Sequence, residues 1–273
     1  MAVARAVLTL TLTLALALAA GLATGAEAPP HAACLDCHEP HYAAHGSCID
    51  CHRGDDRARR ADLAHHRLLG GAAATWMLPG SPVLPRAVAL RDSLGCRRCH
   101  VSGGKGERLA INLDTVAWPR TQGELRSALT NPAAAMPSFG LGAGSADTLI
   151  AVLLRDADRF GGSPRYQVRF RAGSDDSLRV FARLCGGCHQ ALTPDGPQGI
   201  GTAGPNLSGL PGAFYPAPPD STWDRARLEK WLRNPRAQRA HATMLPVAVK
   251  HAELDALLEA LAPPHPLPPA SGD

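Results

Sequence analysis

One uninterrupted apolar run opens the chain: from Ala6 to about Ala23 no residue is charged. Nothing later resembles it. From Glu27 to about Leu69 apolar positions are scattered with little helical period, which predicts irregular structure. From about Pro85 the pattern becomes that of amphipathic helices. PRAVALRDSLG predicts a short helix, and TQGELRSALTNP begins with Thr121 and Glu124 at capping-box spacing and stops at Asn131-Pro132. SADTLIAVLLRDAD then sets Leu149, Ile150, Leu153 and Leu154 on one face.

The same plan recurs further along. DDSLRVFARLC places Leu178, Phe181, Ala182 and Cys185 at helical spacing. STWDRARLEKWLRNP carries Ser221 and Asp224 in the capping positions and stops at Asn234-Pro235. HAELDALLEALA aligns Leu254, Leu257, Leu258 and Leu261. Both copies run helix, cysteine motif, loop, helix, Asn-Pro, Met, helix, an internal repeat. Between them FGGSPRYQVRFRAGSDD reads as a linker in which Tyr166, Val168 and Phe170 alternate like a short strand. Met77, in the Pro/Gly-rich joint TWMLPGSP, reads as packing. PPHPLPPASGD reads as an extended tail.

The cysteines carry the chemistry. All 8 fall in Cys-x-x-Cys pairs: Cys34/Cys37, Cys48/Cys51, Cys96/Cys99 and Cys185/Cys188. Each pair is followed at once by a histidine, His38, His52, His100 or His189. With 12 His in 273 residues, the chance of four such coincidences is roughly a few in a million. Two thiols at this spacing reach the two vinyl groups on one edge of a haem, and the adjacent histidine lies beneath the iron. A zinc ribbon would complete its site with four thiolates and needs no histidine after every pair. Iron-sulfur sites use closer cysteine runs, and a disulfide framework seldom pairs everything at one short spacing. The pattern predicts four covalent haems c.

Composition agrees with this. Aromatic residues make up only 4% of the chain, and four porphyrins would supply the missing apolar surface. The net charge of +4 includes no basic tract dense enough for nucleic acid, and eight propionates would offset it. Arg5, the apolar run and the small residues Thr24, Gly25, Ala26 and Ala28 read as a secretory signal peptide. An uncleaved anchor is the alternative, because the run is near the lower limit for a membrane span. No other segment approaches a span, so no transmembrane segment is expected after signal removal.

The two copies resemble the class I cytochrome c domain, and the N-terminal part resembles compact multihaem cytochromes. The resemblance implies export to the periplasm, where c-type haems are attached. It also implies that the methionine after the Asn-Pro turn is the distal iron ligand: Met136 for the haem of Cys96, Cys99 and His100, and Met244 for that of Cys185, Cys188 and His189. The second copy has the family-like Gly204-Pro205-Asn206-Leu207, where the first has only Ile111-Asn112-Leu113. No methionine lies near the first two motifs, but His31, His41, His45, His65 and His66 do. Bis-histidine ligation is the natural reading, with His45 serving one haem and His65 or His66 the other.

The expected organisation is a mainly α protein: signal peptide 1–26, dihaem module 27–70, linker 71–84, cytochrome c-like domain 85–159, linker 160–173, second such domain 174–262, and tail 263–273. Its expected role is electron transfer between redox proteins, a membrane oxidoreductase complex among the partners. The competing class is a redox enzyme for a small inorganic substrate, which would need one haem with an open coordination position.

Overall fold

The computed structural model describes residues 32–133, 135–160, 166–171, 176–218 and 221–264. The apolar leader, His31, most of the Pro-rich tail and parts of the 160–173 linker lie outside them. The described residues are mainly helical. The helices are α1 Cys48–His52, α2 Ala61–Ala64, α3 Val83–Ser93, α4 Leu113–Val116, α5 Gln122–Thr130, α6 Ala143–Phe160, α7 Asp176–Leu184, α8 Arg225–Arg233, α9 Pro235–Gln238 and α10 His251–Leu261. No helix among them is long and apolar enough to cross a membrane.

Buried apolar residues form two clusters. In the first, α3 and α5 pack on α6, whose Leu149, Ile150, Leu153 and Leu154 are at most 5% exposed. Burial of each such side chain contributes about 1.5–3 kcal/mol. Thr121 caps α5 as its spacing predicts: the hydroxyl accepts from the Glu124 N–H at 3.2 Å, and the Glu124 carboxylate accepts from the Thr121 N–H at 2.7 Å. The stretch 71–84 is built into this core and is not a tether. Gly71–Met77 forms a 3₁₀ helix that buries Ala73 and Trp76 against the cluster, with Met77 packed at its edge.

The second cluster joins α7, α8 and α10 through Phe181, Leu228, Leu232, Leu254, Leu257 and Leu261. Two details depart from the sequence pattern. Ala182 is exposed, because the buried side of α7 runs through Ser177, Phe181 and Cys185. Helix α8 is capped by Asp224, whose carboxylate accepts from the Arg227 N–H at 2.8 Å, while the Ser221 hydroxyl donates to the Pro218 carbonyl. Asn234 ends α8 and its side chain then caps α9, with Pro235 at the first position. After the last motif, β1 Ala191–Thr193 and β2 Gly196–Gln198 form an antiparallel hairpin closed by Pro194-Asp195. Residues 166–171 form no strand, although the Arg171 N–H reaches the Pro194 carbonyl at 2.9 Å.

Residues 32–68 are different in kind. Two short 3₁₀ turns, Ala33–Asp36 and Ala43–His45, precede α1 and α2, and of these residues only Arg53 is buried.

Candidate functional site

Each cysteine motif is wound into one tight turn. In three of them the histidine N–H donates to the carbonyl of the first cysteine: His38 to Cys34 at 3.0 Å, His100 to Cys96 at 3.0 Å and His189 to Cys185 at 2.9 Å. The second motif is the helix α1 itself. All eight thiols are free, with Cys185 buried, Cys37 and Cys188 exposed and the rest half-buried. The thiols of Cys34 and Cys48, the first cysteines of two successive motifs, lie within hydrogen-bonding reach of each other. Burial pushes Cys96 and Cys185 up to about 11, so these thiols stay protonated and are poor nucleophiles.

Three of the four motif histidines share one orientation. The Nδ1 of His52 lies 2.9 Å from the Leu69 carbonyl, that of His100 2.7 Å from Ile111 and that of His189 2.8 Å from Pro205. A carbonyl can only accept, so each Nδ1 carries the proton and each Nε2 keeps a free lone pair. That is the tautomer a metal-bound imidazole needs. Desolvation also lowers the pKa of His100, which favours its neutral form.

The two copies build this orientation with the same backbone bonds. Glu107 N–H to Arg97, Ala110 to Cys99 and Leu113 to Val101 in the first copy correspond to Ile200 to Gly186, Gly204 to Cys188 and Leu207 to Gln190 in the second. Asn112 and Asn206 also do the same work, each accepting from the N–H two residues on. Ile111-Asn112-Leu113 is thus the structural equivalent of Pro205-Asn206-Leu207. Gly106 and Gly199, both at positive φ, press against the His100 and His189 carbonyls where a Cβ would collide. A Cβ at Gly204 would strike the His189 ring itself.

Around the N-terminal motifs the structure pairs histidines. His41 Nε2 lies 3.2 Å from His52 Nε2, with ring planes at 88°. The rings of His38 and His65 lie 6.0 Å apart at 50°. His45 is turned elsewhere: its ring lies 5.9 Å from Tyr42, and it lines a cavity of about 320 Å³ with Cys51, Arg53, Met77 and Trp118. His66 lines a neighbouring cavity with Leu63, Arg67 and Trp118. The histidine set facing His52 and His38 is therefore His41 and His65. Spacing alone does not separate His41 from His45, because both belong to an irregular segment.

The methionines sit after their Asn-Pro turns, both half-buried. Met136 donates its backbone N–H to the Ala133 carbonyl at 2.9 Å. Met244 packs at the edge of the second core and its Sδ accepts the Trp231 indole N–H at 3.1 Å, which leaves one sulfur lone pair available.

Among the described residues, one buried side chain has unpaired nitrogens. Arg53 is 9% exposed, stands 4.3 Å over the Trp118 ring and has no hydrogen bond at Nε or Nη2. The Asp158 carboxylate acts on it electrostatically, and Asp158, Asp50 and Cys51 line the same cavity. Two N–H groups remain to receive an anion. The residues present therefore fit a haem: paired thiols, imidazoles with free Nε2 atoms, a second imidazole facing two of them, and a buried cation suited to a propionate. Among the described residues, no group of three or more His, Cys, Asp or Glu side chains is placed to hold a bare metal ion.

No protein-family model matches the chain, and neither a curated protein nor a solved structure shows significant similarity to it.

Proposed function

We propose that the chain is an exported tetrahaem c-type cytochrome that carries electrons between redox proteins. In this reading a bis-histidine dihaem module at 27–70 precedes two class I cytochrome c-like domains at 85–159 and 174–262. The observation that carries it is the imidazole geometry: His52, His100 and His189 give Nδ1–H to a backbone carbonyl, and His52 and His38 each lie beside a second histidine. His41 and His52, whose Nε2 atoms lie 3.2 Å apart, would be the two imidazoles that hold one iron.

Haem, when bound, supplies a one-electron ferrous/ferric couple. The chain's own residues set its terms. The four cysteine pairs bind it, and His38, His52, His100 and His189 are the proximal ligands. The backbone carbonyls of Leu69, Ile111 and Pro205 orient three of those rings. His41, His65, Met136 and Met244 are the remaining axial donors, and Arg53 seats a carboxylate. The leader directs export to the periplasm, where a membrane oxidoreductase complex is one class of partner. The test is mass spectrometry of protein matured with full cytochrome c assembly, which should show the chain plus four haems. Fewer would defeat the reading.

Arg53 supports a second reading, a redox enzyme whose small oxyanion substrate occupies the cavity beside Cys51. It requires a high-spin haem, so electron paramagnetic resonance separates the two: four low-spin ferric centres favour the carrier.

A further inference from the structure

The two copies meet through their haem-motif loops. Arg98, between the cysteines of the third motif, reaches into the fourth motif's loop. Its Nη2 donates to the Asn206 carbonyl at 2.5 Å and the Ser208 carbonyl at 3.0 Å, and its Nε donates to the Ser208 carbonyl at 3.1 Å. The same guanidinium lies 4.2 Å over the Tyr215 ring. Gly209, at positive φ, takes the Arg98 carbonyl so closely that an added Cβ would lie 2.8 Å from it. The Cys99 sulfur lies close to the Ser208 hydroxyl, which also accepts the Leu192 N–H at 2.7 Å. Ser208 in turn donates to Asn206 Oδ1 at 2.6 Å, and Asn206 follows Pro205, whose carbonyl receives His189 Nδ1–H at 2.8 Å. Three residues thus separate the cysteine of one motif from the histidine of the next.

We infer that Arg98 is a positioning residue that clamps the Asn206–Ser208 loop onto Cys99, making Cys99, Ser208, Asn206, Pro205 and His189 the route for electron exchange between the third and fourth haem sites. The inference rests on the carrier reading. With haem bound, His100 and His189 would hold the two exchanging groups, each of which would supply a one-electron couple whose exchange makes and breaks no bond. A charged donor to two carbonyls suits the task, because its loss strands both acceptors at a half-buried junction. A cation–aromatic contact also occurs earlier in the chain, where Arg53, just after the second motif, stacks on Trp118 of the first copy.

The test uses the full holoprotein, with haem counted by mass. Arg98→Ala should raise hydrogen exchange at the Ser208 and Leu210 amides about tenfold and slow electron equilibration between the two methionine-ligated haems at least tenfold after flash reduction. Arg98→Lys, which keeps one charged donor, should recover part of both. Ser208→Ala serves where Arg98→Ala fails to mature, and should slow equilibration with the clamp in place. Unchanged amide exchange in Arg98→Ala overturns the clamp. Faster exchange with an unchanged electron rate overturns the route and leaves Arg98 structural. Fewer than four haems in the wild type defeats the carrier reading instead, and the route with it; amide exchange then decides the clamp alone.

Discussion

His41 and His52 turn their Nε2 atoms toward one another across 3.2 Å, while His52 Nδ1 is tied to the Leu69 carbonyl. The arrangement fixes the proton on the far side of the His52 ring and points its lone pair at His41. On the proposed tetrahaem reading, His41→Ala should therefore leave one haem without a sixth ligand and convert it to high spin. His65→Ala should open the haem at His38, whose ring lies 6.0 Å from that of His65. His45→Ala and His66→Ala should leave all centres low-spin. Electron paramagnetic resonance reads each outcome, and a high-spin signal in His45→Ala with none in His41→Ala would reverse the assignment.

Arg91 and Asp156 make a second, purely structural prediction. They meet at 2.7 Å with side chains 3% and 2% exposed, and the Ser102 hydroxyl donates to the same carboxylate. The pair ties α3 to α6. Breaking a buried pair costs about 3–5 kcal/mol where the survivor is left bare, and less here, because Asp156 keeps Arg155 and Ser102 and Arg91 keeps Asp92. Asp156→Asn or Arg91→Met alone should lower the unfolding midpoint, and Arg91→Met with Asp156→Leu should recover much of the loss. Denaturant titration of the four proteins gives the coupling directly.

How much of this was legible in the sequence depended on range. The Thr121–Glu124 cap, the leucine stripes of α6 and α10 and the order of the repeat are local patterns, and each is found where its spacing puts it. The hairpin at 191–198 had a local signal too, the Thr-Pro-Asp-Gly turn, which went unused. Ser221 and Asp224 stand at capping-box spacing, yet Asp224 is itself the cap and the Ser221 hydroxyl donates to Pro218. The choice of His41 over His45 depends on how an irregular segment folds back on α1, and no periodicity reports that. Arg98 was invisible for another reason: its partners lie 108 and 110 residues away.

Acid should loosen the helix starts in a defined direction. Hydrogen bonds from the Thr121 backbone and hydroxyl hold Glu124 below the usual carboxylate range, and the Lys250 N–H and Arg183 do the same for Glu253. Their folded pKa values lie below the unfolded ones. The stabilisation is therefore complete above the ordinary glutamate value of about 4.3 and is lost as pH falls through the depressed folded values. Below about pH 4.3 the wild type should lose stability more steeply than Glu124→Gln. Equal slopes in urea titrations at successive pH values would contradict the capping account.

The last prediction concerns reduction potential, and here the structure adds a lever to the choice of ligand. A thioether is a weaker donor than an imidazole and favours ferrous iron, so the haems of Met136 and Met244 should lie above the two bis-histidine haems. Electrons would then run from the N-terminal module to the second copy, the direction in which Arg53 and Arg98 link the modules. Met244 differs from Met136 in one respect on which the structure is explicit: its Sδ accepts the Trp231 N–H at 3.1 Å. That bond draws density from the sulfur and weakens it further as a donor to ferric iron. Trp231→Phe should restore the density and lower that potential alone. A neutral hydrogen bond contributes ~1 kcal/mol, which caps the shift at about 40 mV for one electron. Met244→His should lower the same component much further, and neither change should move the two low-potential components. A titration in which Trp231→Phe raised the potential, or in which Met244→His removed a low-potential component, would overturn both the ligand assignment and the direction of flow.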